Sequence, residues 1–166
     1  MIHNTHASQY IPPTIWSYVT GTFTQTAGAV AGTIAMNRAA ANETSVVTIP
    51  IMLPSNSVAL QGAKLVSIEV DYEIFTAEPT SITWTLNKVT RGADTAVAVV
   101  AAVTKTDTLA AAGAKTVDQH KQTITLTTPG WIDNDEYYLL EMSIAAGAGG
   151  NTTKFYAAVA NFTFRA

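Results

Sequence analysis

The feature that most limits what this chain can fold into is the run from Lys64 to Thr76, where Val66, Ile68, Val70, Tyr72 and Ile74 alternate with Ser67, Glu69, Asp71 and Glu73. A period of two puts the apolar set on one face of a β-strand and the charged set on the other. After a break at Glu78-Pro79-Thr80-Ser81 the period resumes, with Ile82, Trp84 and Leu86 set against Thr83, Thr85 and Asn87. Two such runs around a short break are expected to pair as a hairpin. The same grammar returns from Gln122, with Ile124 and Leu126 pointing one way. It returns again from Tyr137 to Ala145, where Tyr138, Leu140, Met142 and Ile144 share a face. Lys154 to Arg165 reads as a long closing strand, and the Val- and Ala-rich run Thr95 to Thr104 as a buried one.

Nothing competes with this reading. Ala and Thr each supply about a sixth of the 166 residues, and the residues that populate surface helices are scarce. Only Leu109 to Ala114 has any helical character, and Gly113 interrupts it, so less than about a tenth of the chain is expected in helix. Ile15 to Thr26, Ala31 to Asn37 and Glu43 to Leu53 are further strand candidates. Pro50 cannot donate to a ladder and belongs on an edge or at a bulge. Residues 1–14 contain Pro12-Pro13 and lack periodicity; they read as an N-terminal arm, and residues 15–166 as one sandwich domain. The expected fold is all-β, an antiparallel two-sheet sandwich of eight or nine strands, a jelly roll before an immunoglobulin-like arrangement. Its core is expected to hold Val66, Ile68, Val70, Tyr72, Ile74, Ile82, Trp84, Leu86, Ile124, Leu126, Leu140, Met142 and Ile144.

Charged residues make up 13%, hydrophobic ones 48%, and the net charge is −3, a composition too apolar for disorder. Nine Lys and Arg spread along the chain provide no basic patch, so no nucleic acid partner is expected. No apolar stretch approaches the ~20 residues of a membrane-spanning helix, and no secretory signal is read at the N-terminus. Cysteine is absent, which removes disulfides, thiolate metal sites and thiol nucleophiles together.

Catalysis needs a nucleophile or base with a partner, and the inventory is thin. His3 and His6 lie in the expected arm, and His120 follows Asp118 in a polar link, an Asp-x-His spacing more typical of surface polar groups. No hydrolase, zinc-protease, phosphate-loop or dinucleotide motif is present, so no enzyme and no cofactor are expected. Asp133, Asp135 and Glu136 are candidate calcium ligands, but Asp133-Asn134-Asp135-Glu136 reads first as a turn. The Asn-x-Thr patterns at Asn42, Asn151 and Asn161 carry no weight in so Thr-rich a chain.

The missing charge is itself informative, because a solitary sandwich blunts its edges with Lys and Glu. Ala96 to Thr104 and Phe155 to Phe164 carry none, and the second has apolar side chains on both faces. This points to self-assembly, with Phe155, Tyr156, Phe162 and Phe164, together with Trp131 and the arm residues Pro12 and Pro13, as candidate interface. The hairpin built from Trp131-Ile132-Asp133-Asn134-Asp135-Glu136-Tyr137-Tyr138-Leu139-Leu140-Glu141-Met142, a Gly-rich tip, and Lys154 to Thr163 is similar to the C-terminal hairpin of jelly-roll virion proteins of tailed phages and related environmental viruses. That resemblance, over residues 64–166 at most, implies a virion location, a capsid-associated or decoration role, a homo-oligomer, often a trimer, docked on a larger assembly such as a capsid, and no catalytic residues. Two rivals share the architecture: a carbohydrate-binding module, which needs two or three solvent-facing aromatics on one sheet face, and an extracellular self-assembling surface or filament protein.

Overall fold

The computed structural model describes residues 4–28, 32–53, 62–92, 98–147 and 150–165. Among them are twelve strands, two single-turn 3-10 segments and no α-helix. The strands are β1 Asn4–Ile11, β2 Ser17–Thr20, β3 Phe23–Ala27, β4 Ile34–Ala41, β5 Ser45–Ile51, β6 Ala63–Ile74, β7 Ser81–Thr90, β8 Val99–Ala102, β9 Lys105–Asp107, β10 Gln119–Leu126, β11 Glu136–Ala145 and β12 Asn151–Arg165. They form two antiparallel sheets. Sheet A runs β3-β4-β12-β6-β10-β9, with β1 also on β12, and sheet B runs β2-β5-β11-β7-β8.

Eight of these strands make a jelly roll. The neighbours β7 and β8 are nested inside β6 and β10, those inside β5 and β11, and those inside β4 and β12, with the pairs alternating between sheets. Of the remaining four, β2, β3 and β9 extend the edges and β1 pairs with β12. Three are only three to five residues long, and β1 is the segment that reads as an arm, which explains a count above nine. Residues 4–11 are in fact a full strand, in register with β12 from Asn4 opposite Arg165 to Ile11 opposite Ala158, and Ile11 is buried.

Three other expectations change. β6 and β7 are not a hairpin: the link from Phe75 to Thr80 carries the chain from one sheet to the other. The run 99–102 is not buried, since all four residues of β8 are exposed at the edge of sheet B. Val66 leaves the core. The partner of β6 shifts from Ser67 at Asn161 to Leu65 at Phe162, so Val66 and Ser67 both turn outward while Leu65 takes the inner position. That shift marks a β-bulge, two residues facing one across the ladder. Every other expected core residue is buried. Pro50 lies opposite Leu139 on β11, but β2 pairs only with residues 46–48 of β5, so the other flank of Pro50 is open.

The two inner faces meet in one apolar cluster. Trp16 contacts Phe155 edge to face at 5.8 Å between ring centroids, and Tyr72 approaches Trp84 at the same distance, each pair linking one sheet to elements packed on the other. The buried hydroxyl of Tyr72 donates to the carbonyl of Ala114 at 2.6 Å.

Candidate functional site

The expected interface residues do not come together on one surface. Phe155 is wholly buried in this chain's own core against Trp16, Tyr18 and Phe23, and Phe162 is buried beside Phe164. β12 sits in the interior of sheet A, between β6 and the pair β4 and β1, with Phe155, Ala158, Ala160 and Phe162 buried and Tyr156, Ala157, Val159 and Asn161 half-buried. Pro13 is buried and its carbonyl accepts from the Tyr18 hydroxyl at 2.7 Å, while Pro12 is half-buried. Trp131 is half-buried, with the Lys64 ammonium 5.0 Å from its ring centroid.

The acidic cluster is a turn. The Glu136 carboxylate accepts from the Asp133 amide at 2.9 Å and from the Lys88 ammonium at 2.6 Å, and the Glu136 amide donates to the Asp133 carbonyl. Burial pushes this carboxyl up, but Lys88 and the Asp133 amide outweigh it and hold the group below the usual Glu range. Asp133 and Asp135 remain exposed, and no group of three metal-ligating side chains occurs among the described residues. His3 lies outside the described residues, and His6 is exposed opposite Thr163. His120 turns away from Asp118: its Nε2 lies 2.7 Å from the Thr116 carbonyl and its ring 5.1 Å from Tyr72.

The feature most suited to binding is a cleft on the outer face of sheet A, which sequence reading does not single out. It has a volume of about 490 Å³, within the range of small-molecule sites, and is lined by residues of β1, β4, β6, β10 and β12. The strand register builds it. One cross-strand row holds Tyr10, Val159, Glu69 and Thr123, and the next holds Ala157, Asp71 and Lys121. Just past the second row β12 bulges: Phe155 faces Tyr72 and Ala157 faces Asp71, leaving Tyr156 as the extra residue, which lines the cleft. Its hydroxyl donates to Glu73. Tyr10 and Ile34 bring apolar surface from the opposite side, 61% and 44% exposed.

Polar groups around the cleft divide into engaged and open. Glu69 is held by Lys121 and by the Asn161 amide at 3.1 Å, and Asn161 in turn accepts from Ser8 at 2.7 Å. Lys121 and Asn161 hold Glu69 below the ordinary range against its burial. Asp71 is different. It lies half-buried in the cleft with no side-chain hydrogen bond or ion pair among the described residues, and burial raises its pKa against the opposing pull of Lys121. A half-buried carboxylate in a cleft lined by three tyrosines is an acceptor open to hydroxyl or amide donors.

No family model matches the chain, and no curated protein does. Among solved structures it is similar to the CBM22-1–GH10 modules of Clostridium thermocellum xylanase 10B, in complex with xylohexaose, at 9% identity and TM-score 0.45, over 93% of this chain and 27% of that one. It is also similar to the enzymatically active domain of bacteriophage CBA120 tailspike protein 4, at 8% identity and TM-score 0.42, over 89% of this chain and 19% of that one. This chain thus spans about a quarter and a fifth of their lengths, and at these scores neither likeness assigns it a ligand or an activity.

Proposed function

We propose that this chain is a non-catalytic structural module that assembles with copies of itself on a virion surface, in a capsid-associated or decoration role. The observation that carries the assembly is β8. All four of its residues, Val99 to Ala102, are exposed, among the described residues only β7 pairs with it, and no charge occurs from residue 98 to 104. An uncharged apolar edge strand is a template for pairing with another chain, and a second copy, equally uncharged there, fits it without a charge mismatch. The virion setting is supported by the resemblance of the closing hairpin. Light scattering on the intact chain tests the proposal: an oligomer, three times the 17.5 kDa chain mass for a trimer, is expected. A monomer at micromolar concentration overturns it.

A second reading, carbohydrate binding, is favoured by one specific observation. Tyr10 and Tyr156 both line the outer cleft of sheet A, the placement on one sheet face that this class of module needs.

A further inference from the structure

Resting on the carbohydrate-binding reading, we propose that the cleft between Tyr10 and Tyr156 takes an uncharged pyranose unit of a glycan, with Asp71 as the residue that selects it. A pyranose has a flat apolar face and a rim of hydroxyls. The cleft offers the complement of both: the Tyr10 and Tyr156 rings with Ile34 and Ala157 for the face, and Asp71 and Lys121 for the rim.

Asp71 and Lys121 are directly opposite one another on β6 and β10, so one sugar hydroxyl can donate to the carboxylate while its neighbour accepts from the ammonium. Among the described residues no donor engages the Asp71 carboxylate, whereas Glu69 and Glu73, on the same strand and face, are engaged by Lys121 and Tyr156. An acceptor that is half-buried in the cleft and not engaged by another side chain is free to exchange its water for a sugar hydroxyl.

Local charge decides against acidic sugars. Three carboxylates, Asp71, Glu69 and Glu73, stand around one ammonium, Lys121, which already pairs with Glu69. A uronate or sialate would meet net negative charge on entering.

The test uses the intact chain against an array of neutral oligosaccharides of glucose, galactose, mannose and N-acetylglucosamine, with sialylated and galacturonic counterparts, followed by NMR titration of any hit. Binding of a neutral sugar is expected. Asp71→Asn should weaken it at least about tenfold, and Tyr10→Ala by a similar factor, while Asp107→Asn, on the distant β9, leaves it unchanged. Tyr10 is 61% exposed, so its variant reports on the cleft even if another fails to fold. Neutral binding indifferent to both cleft variants would overturn the placement of the site but leave the carbohydrate reading standing. Tighter binding of the acidic sugars would overturn the ligand class, and an array with no hit would overturn both.

Discussion

Arg38 and Asn151 are joined twice inside sheet A: one guanidinium nitrogen of Arg38 donates to the Asn151 backbone carbonyl at 3.1 Å and to its side-chain carbonyl at 2.6 Å. The other terminal nitrogen donates to the Glu43 carbonyl, and both Arg38 and Asn151 are fully buried. The pair fastens the start of β12 to β4 across 113 residues of chain. Arg38→Met should destabilise by about 3 kcal/mol in urea titration, because two buried carbonyl acceptors on Asn151 and the part-buried one on Glu43 lose their donor. Arg38→Lys should fall between, since a single ammonium does not reproduce the planar fork.

The Glu136 carboxyl is held below its ordinary pKa, so its stabilising contribution is complete above the unfolded Glu value and is lost as pH falls through the lower folded value. Glu136→Gln should therefore be less stable than wild type by about 1 kcal/mol near pH 7. The two melting curves should converge in acid. A gap that persists at low pH would assign the loss to packing.

Asp71 runs the other way. Its folded pKa is raised, so the folded state binds the proton more readily and stability declines as pH rises through that window. Asp71→Asn should be slightly more stable at neutral pH, by a few tenths of a kcal/mol or about 1 °C in Tm. Calorimetry at pH 7 checks it, and a clear loss of stability would show that the carboxylate holds the fold.

Assembly and folding separate at two positions. Phe162→Asp places a carboxylate in the core and should cost about 4 kcal/mol or more, giving an unfolded or aggregated chain. Val100→Lys, on the exposed edge, should leave the melting temperature within about 2 °C and reduce the oligomer to a monomer by light scattering.

What alternation fixes was readable and what pairing fixes was not. Ile68, Val70, Tyr72 and Ile74 point inward as their spacing requires, and so do Leu140, Met142 and Ile144. Val66 fails because a bulge depends on the register against β12, which no local pattern in β6 announces. The link after β6 fails because a short polar break serves equally as a hairpin turn and as a corner between sheets. β8 fails because an apolar edge and a buried strand have the same composition. The cleft was illegible for a related reason: its walls come from five strands spread between Tyr10 and Ala157, and a bulge that local alternation does not announce puts Tyr156 and Ala157 together on its side. The one local hint was Tyr10, two residues from Ser8 and four from His6 in a polar outward series.

β12 lies between β4 and β6 and is the strand that β1 pairs with, so everything else in sheet A forms three separate pieces until it arrives: β3 with β4, β6 with β10 and β9, and β1 alone. A nascent chain halted before residue 151 has therefore made eleven strands and still has no continuous first layer on which the second can settle. Such an intermediate leaves β1, β4 and β6 each with an unsatisfied flank, and protection from proteolysis should appear abruptly once the twelfth strand leaves the ribosome rather than build up gradually along the chain.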